Sequence, residues 1–393
     1  MNVSTNLPEE KCTGCGACVV KCPKQCITLK RNADGYWKRE VCQSECVQCN
    51  KCINICSALC SLRELSVKKS YVAYANRDSD RIYSASGGVA YVLSQIAIEK
   101  GYSVAGAVWD LEGIGVKHIL VDEKGELLER MRSSKYIQSN TLDIFHSIRD
   151  TSIIIGTPCQ IQAFRNIYGE QNNMLLVDMA CMGGGGYNLL EKYMEFLSSY
   201  NSSGIKDIKM RSKRKNWMTY GTHVFFEDGS EYYQDKYKDP FCQCFNFGHA
   251  IQNTCMDKCR WCQKSAADIR IGDAWDYAYA FSYKIAKNGL SLLSVQTEKG
   301  SQWVQYLSDR MTIKSVEGKI PRPYGLTSNE LLLEMLRDTT ISIKDIVKAY
   351  NSTSLYKKIV RAFEQILSKN YYAYVLTKRL KEWYRTKKDR KLP

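Results

Sequence analysis

A chain of 393 residues, 44% of them hydrophobic, is long enough for two or three domains and a real buried core. No apolar run approaches the roughly twenty residues that a spanning helix needs, and the opening MNVSTNLPEE has no apolar signal region, so a cytoplasmic, reducing location is expected. The formal charge of +15 admits an anionic partner surface, but no base-reading fold accompanies it, so no nucleic acid is expected as a partner.

Eighteen cysteines would mean a disulfide scaffold in a short exported chain, but ten of them fall in two blocks, CTGCGACVVKCPKQC from Cys12 and CVQCNKCINICSALC from Cys46, each cysteine recurring thirty-four residues on. Both blocks hold Cys-x2-Cys-x2-Cys-x3-Cys, the run that carries a cubic [4Fe-4S] cluster. The short gaps let three thiolates of one loop reach three irons. The fourth cysteine, entering the following helix, points to the other cluster. That assigns Cys12, Cys15, Cys18 and Cys56 to one cluster, and Cys46, Cys49, Cys52 and Cys22 to the second. A zinc module prefers two ligand pairs across a longer loop and does not account for the doubled spacing. The block resembles a bacterial two-cluster ferredoxin, which implies two [4Fe-4S] clusters. One departure is Ser57, where the first block has Pro23 after its last ligand. Cys26 and Cys60 read as buried thiols packing like alanine, and Cys42 as a free thiol.

From Tyr71 strands and helices alternate. Residues 87–100 (GGVAYVLSQIAIEK) have helical apolar spacing and stop at Gly101. SVAGAVW and VKHILV read as strands, DIFHSIRD as a short helix, TSIIIG and MLLVDMA as buried strands, and YNLLEKYMEFL as a helix. This rhythm predicts an α/β domain with a largely parallel sheet, made mixed by a hairpin in THVFFEDGSEYYQ with its Asp-Gly turn. Past Asn329 the chain reads as helical.

Ser86, Gly87 and Gly88 stand at a helix start, where free N–H groups and the positive dipole end suit a phosphate, although a plain N-cap explains them equally. Gly183 to Gly186 lie between strand and helix, a phosphate-cradle position that also suits a flexible turn. No GxGxxG with a following acid supports a nicotinamide Rossmann domain. The ordered segments SASGGVA, SSKYIQS, GTPCQIQAFR, CMGGGG, RSKRKNW, CRWC and IGDAW, spread over residues 84–275, resemble the family of deazaflavin-coenzyme (F-420) hydrogenase/dehydrogenase beta subunits. The resemblance implies a flavoprotein oxidoreductase binding FAD. On the matching segments the cofactor positions are Ser86, Gly87, Gly88, Ser134, Lys135, Tyr136, Gln138, Thr157, Arg211, Lys213 and Asp273. It also implies a third [4Fe-4S] cluster on Cys159, Cys181, Cys259 and Cys262, with Cys255 as a spare candidate and Cys242 and Cys244 as packing or flanking thiols. Relatives read Cys-His-Gly where this chain has Cys181, Met182 and Gly183, so no catalytic residue is assigned.

The implied organisation is a two-cluster ferredoxin domain over residues 1–66, an α/β FAD-binding domain over 67–325 and a helical basic region over 326–393. The implied function moves single electrons through clusters to or from FAD and a small-molecule two-electron substrate: a deazaflavin, a tetrapyrrole or a sugar precursor. The alternative is a non-enzymatic electron-transfer subunit. Either needs a redox partner such as a ferredoxin, a hydrogenase subunit or a dehydrogenase subunit. From Asn351 the tail carries twelve Lys or Arg against three acids, and Leu355, Ile359, Phe363 and Ile366 recur at helical spacing. Such a helix either packs on its own domain, the more common use, or lies on the inner face of an anionic membrane as a peripheral contact.

Overall fold

A computed structural model describes residues 1–62, 67–255, 259–261, 264–317 and 329–352, with single positions at 366, 370, 373, 376 and 377. The tail helix expected over residues 354–390 therefore lies outside the described residues apart from those positions. The boundaries expected at 66/67 and 325/326 fall at or inside undescribed segments. No described helix is long and apolar enough to cross a membrane.

The cysteine repeat folds as a repeat. Each block makes a short helix, Ala17–Lys21 or Lys51–Ile55, and the loop before each passes twice through left-handed backbone at matching positions, Gly14 and Gly16 (φ 66° and 77°) or Gln48 and Asn50 (φ 51° and 61°). Left-handed backbone is costly for most side chains, so the two blocks solve one geometry with different residues. Only the first has no alternative: a Cβ on Gly14 would collide with the Trp37 carbonyl oxygen. Cys22 and Cys56 are the C-caps of the two helices, so each fourth cysteine closes the short helix rather than entering a later one. Between the blocks lies an antiparallel hairpin of β1 (Ile27–Arg31) and β2 (Trp37–Val41).

The second region is built on eight strands: β3 (Lys69–Ala75), β4 (Ser103–Asp110), β5 (Gly115–Val121), β6 (Ser152–Gly156), β7 (Met174–Met179), β11 (Ile269–Asp273), β12 (Ser291–Val295) and β13 (Met311–Val316). Their order is β13-β3-β12-β11-β7-β6-β4-β5. Pairing is parallel only at β11/β7, β7/β6 and β6/β4. The other four pairs are antiparallel, so the sheet is mixed, as expected, though with fewer parallel pairs than the strand–helix rhythm implies. Two of these pairs come from β12, which returns between β3 and β11 and reverses direction against both; the others are the β4/β5 hairpin and β13 against β3. The expected hairpin forms, with Gly229 left-handed at its turn, but it stands apart as β9 (Gly221–Phe226) and β10 (Glu231–Asp235) in a three-stranded sheet with β8 (Ile205–Ser212).

Successive strand residues point to opposite faces, and both faces of the large sheet are covered. Ile153, Ile155, Leu175 and Val177 pack against helices Val89–Glu99 and Glu298–Leu307 through Leu93, Ala97 and Trp303. Ile154 and Leu176 face the other way, onto Ile161 and Phe164 of helix Pro158–Tyr168. Ala17 and Ile55, one from each cysteine-block helix, enter that same core beside Phe145. The N-terminal region thus forms part of the sheet's covering layer. Helix Tyr187–Tyr200, the small sheet and helices Glu330–Arg337 and Ile343–Ser352 build a further core around Tyr193, Phe226 and Leu333. Helical structure past Asn329, the N-cap of the first of these two helices, is as expected for the described residues.

Candidate iron-sulfur and cofactor site

Two cavities open between the cysteine blocks. One is lined by Cys12, Cys15, Cys18 and Cys56 together with Leu7 and Arg39. The other is lined by Cys46, Cys49, Cys52 and Cys22, with Cys26 beside them. Each cavity therefore collects three cysteines of one block and the fourth of the other. Among the described residues no three Cys, His, Asp or Glu side chains are close enough to share one metal ion. Tetrahedral thiolates on a single zinc sit about 3.8 Å apart, whereas a cube carries each ligand on a separate corner. The donor set suits the cube.

Burial pushes the Cys15 and Cys18 thiols up, Cys18 far up, and Cys56 to about 11; neighbouring cysteines push the same way. Thiolates are the iron ligands, so bound iron supplies the positive charge that burial alone withholds. Donors to sulfur are in place: Val3 N to Cys52 Sγ at 3.3 Å, Asn2 Nδ2 to Cys46 Sγ at 3.3 Å, and the Ser57 hydroxyl 3.3 Å from Cys15 Sγ. Ser57, the one departure between the blocks, thus lies against a candidate ligand. Cys26 is buried, with its sulfur 3.5 Å from that of Cys22, whereas Cys60 is only half-buried and Cys42 is exposed.

A third group of thiols is within electrostatic reach of Cys15 in the first cavity. Cys159 follows Thr157, the N-cap of helix Pro158–Tyr168, and Cys181 follows β7 and accepts from Gly183 N at 3.3 Å. Burial raises the Cys159 thiol far up, and Cys255, Cys181 and Cys15 add to this. Cys181 is pushed up to about 12, again by burial first and then by Cys255 and Cys259. Cys159, Cys181, Cys255 and Cys259 are therefore one electrostatic group adjoining Cys15. Cys262 lies outside the described residues. Cys255, read from sequence only as a spare, stands with the other three; the run Cys255-x3-Cys259 was the available signal. Gly183 (φ 116°) is what lets the chains close, since a Cβ there would lie 3.0 Å from Cys255 Cβ. Cys242 and Cys244 are buried in the core and pack.

Several residues expected around a flavin are occupied by the protein itself. A Cβ on Gly87 would collide with the Ala73 carbonyl, and one on Gly88 (φ 90°) would lie 2.8 Å from the Asp80 carbonyl. Gly87 N donates to Ser291 Oγ at 2.9 Å, and Ser86 Oγ lies 2.8 Å from the same oxygen. The close approach these glycines permit is to strand and helix backbone. The run Gly183 to Gly186 is likewise packed rather than cradling: Gly185 N donates to Tyr136 O at 2.8 Å and Gly186 abuts Asp34 and Tyr36. Lys135 Nζ closes helix Glu126–Arg130 by donating to the carbonyls of Arg130, Met131 and Arg132, each at 2.9 Å. Gln138 holds the N-terminal region, accepting from Trp37 N at 2.6 Å and donating to Thr13 O at 2.8 Å. Thr157 belongs with the third thiol group, 3.3 Å from Cys159 Sγ.

The rest converge. Arg211 makes a two-point ion pair with Asp273 at 2.9 and 3.2 Å, donates to Tyr136 OH at 3.4 Å and, through its backbone N, to Ser133 Oγ at 3.3 Å, the neighbour of half-buried Ser134. Lys213 Nζ donates to the carbonyls of Arg81 (2.7 Å), Asn288 (2.6 Å) and Ser86. Burial, then Arg211, Arg81 and Arg132, hold its ammonium well below the usual lysine range. Arg81 and Arg132, which lie in no motif, complete this cationic group. The buried Nε atoms of Arg81, Arg132 and Arg211 have no hydrogen-bond partner among the described residues. Trp217 and Trp275 stack at 3.7 Å close by, since Arg211 also lies over the Trp275 ring.

Residues 7–28 match the 4Fe-4S binding domain, and residues 150–319 match the C terminus of the beta subunit in the coenzyme F420 hydrogenase/dehydrogenase family. An F(420)H(2) dehydrogenase subunit of Methanosarcina mazei is 25% identical over 349 residues, 84% of this chain and 90% of that protein. A chain of the F420-reducing [NiFe] hydrogenase complex from Methanosarcina barkeri, solved with xenon, aligns at 17% identity and a TM-score of 0.45 over 75% of this chain and 95% of its own length. Residues 150–319, less than half of the chain, are thus similar to the C-terminal part of coenzyme F420 hydrogenase/dehydrogenase beta subunits, and residues 7–28 to a 4Fe-4S binding domain.

Proposed function

We propose that the chain is an iron-sulfur flavoprotein oxidoreductase, with a ferredoxin domain over residues 1–66, an FAD-binding domain over 67–325 and a helical basic region beyond. One observation carries the reading: three groups of thiols follow one another, from the open cavity through the inner one, whose Cys15 adjoins Cys159, to Cys181, Cys255 and Cys259. Such a series serves single-electron carriers held in line. FAD would supply the conversion between one-electron and two-electron chemistry. The guanidiniums of Arg81, Arg132 and Arg211, with unpartnered buried Nε atoms around a Lys213 disfavoured as a cation, support an anionic diphosphate there. The relative named F(420)H(2) dehydrogenase makes a reduced deazaflavin the first two-electron substrate to try.

Anaerobically purified protein is expected to hold about twelve irons, four for each of three cubes, and one releasable FAD. Joint replacement of Cys255 and Cys259 by Ser should leave about eight irons. A count near eight that the double variant does not lower would remove the third cluster. The second reading, an electron-transfer subunit without a substrate of its own, is favoured by the relative being named as a subunit. Iron without flavin would select it.

A further inference from the structure

The two cysteine-lined cavities differ in what surrounds them. Cys12, Cys18 and Cys56 are buried, and the loop carrying them is bonded to the second region by Gln138, by Thr141 Oγ1 to Cys15 O at 3.0 Å, and by Lys38 Nζ, which joins Cys12 O at 2.6 Å to Gln252 Oε1 at 3.3 Å. In the other cavity Cys49 is exposed, Cys22 and Cys46 are half-buried, and Val47 beside them is 58% exposed. Pro23, Lys24 and Gln48 line its mouth, and Lys21 and Lys51 are exposed next to Cys22 and Cys52. These three lysines are exposed, as is the carboxylate of Glu45 next to Cys46. None of the three forms an ion pair with a described residue.

An exposed apolar tip among exposed lysines, beside the more exposed of the two thiol sets, has the character of a transient electron-transfer interface. Such interfaces are small, and charge supplies encounter rate and orientation rather than lasting affinity. We propose that this rim docks a small acidic one-electron carrier protein, and that single electrons cross there between the carrier and the outer cluster. This rests on the relay reading above. In each encounter one side loses an electron and the other gains it, with no bond made or broken.

The test mixes oxidised, iron-loaded holoprotein with a reduced, strongly acidic two-cluster ferredoxin under stopped flow, at increasing salt. The bimolecular rate should fall steeply as ions screen the rim. Replacing Lys21, Lys24 and Lys51 together by Glu should slow it about a hundred-fold at low salt and abolish the fall with salt. Iron content and the EPR signals of the fully reduced protein should not change. Because the whole chain is basic, the control carries the same charge change elsewhere, at exposed Lys206, Lys284 and Lys287. It should slow transfer only a few-fold. Equal slowing by both triple variants, or none by the rim variant in loaded protein, would overturn the docking site and leave the relay standing. Protein that binds no iron would remove the relay, and the docking proposal with it.

Discussion

The two cysteine blocks share spacing, helix length and left-handed turns, yet they occupy opposite situations. One stands under hydrogen bonds from Gln138, Thr141 and Lys38, although each block sends one residue, Ala17 or Ile55, into the sheet's second core. The other presents Cys49 to solvent. A sequence repeat sets which thiols can meet. Which centre is inner is set by residues outside the repeat: Lys38 between the blocks, and Gln138 and Thr141 more than seventy positions further on.

The largest effect should come from breaking the exchange of fourth ligands. Cys56→Ser, though in the second block, is expected to cost the first, inner cavity its cluster, about four irons, while the outer signal persists in EPR. Cys22→Ser should do the reverse. If each change instead silenced the cavity of its own block, the crossed assignment would be wrong.

Next is the seam. Phe164 is fully buried between Phe145 and Tyr168, in the core that receives Ala17 and Ile55. Phe164→Ala should destabilise the protein by about 3–5 kcal/mol, read as a lower midpoint of thermal unfolding. Ile53→Ala, in the cluster around the cysteines rather than in the seam, should cost visibly less because Ile53 is only partly buried.

Acid should act on the inner side as well. His118 is buried between Ile155 O at 3.2 Å and Ser139 Oγ at 3.0 Å, and Ser139 in turn accepts from Gln160, the capping-box partner of Thr157. Burial pushes the imidazole down to about 4, below the ordinary value near 6.5 that an unfolded chain has. The folded state thus binds the proton less readily. Its contribution is complete above about pH 6.5 and is lost as pH falls toward 4, at most ~3 kcal/mol. His118→Gln should flatten that part of the pH-stability curve relative to wild type. Parallel curves for the two proteins would exclude His118 as the source.

These residues also show what was legible in advance. Ligand spacing is local, so the two thiol sets and their exchange could be read from the repeat, and helices and strands followed from apolar periodicity. The position of β12 between β3 and β11 could not, because pairing across more than two hundred residues leaves no local trace. Nor could the use of Lys135 and Lys213. In sequence each is a free cation near a glycine-rich or aromatic motif; in the fold each ammonium is spent on carbonyl oxygens. Arg81 and Arg132 were missed for the opposite reason, since they reach the site from segments that carry no motif.

The smallest predicted effect tests whether the blocks differ electronically as well as in position. With Cys15 as a thiolate, the Ser57 hydroxyl 3.3 Å away is its donor. Pro23 holds the corresponding place after the first block and has no hydroxyl to offer. A donor to a ligand sulfur stabilises the more negative, reduced cluster and raises its potential. Ser57→Ala should therefore make the inner centre harder to reduce. One net hydrogen bond is worth about 1 kcal/mol, so the shift should be about 40 mV for one electron, measured by EPR-monitored titration. The outer centre serves as the internal reference, because its Asn2 and Val3 donors are untouched. Movement of both centres together would point to a general loosening of the fold, and a stationary inner centre would show that the hydroxyl only fills space.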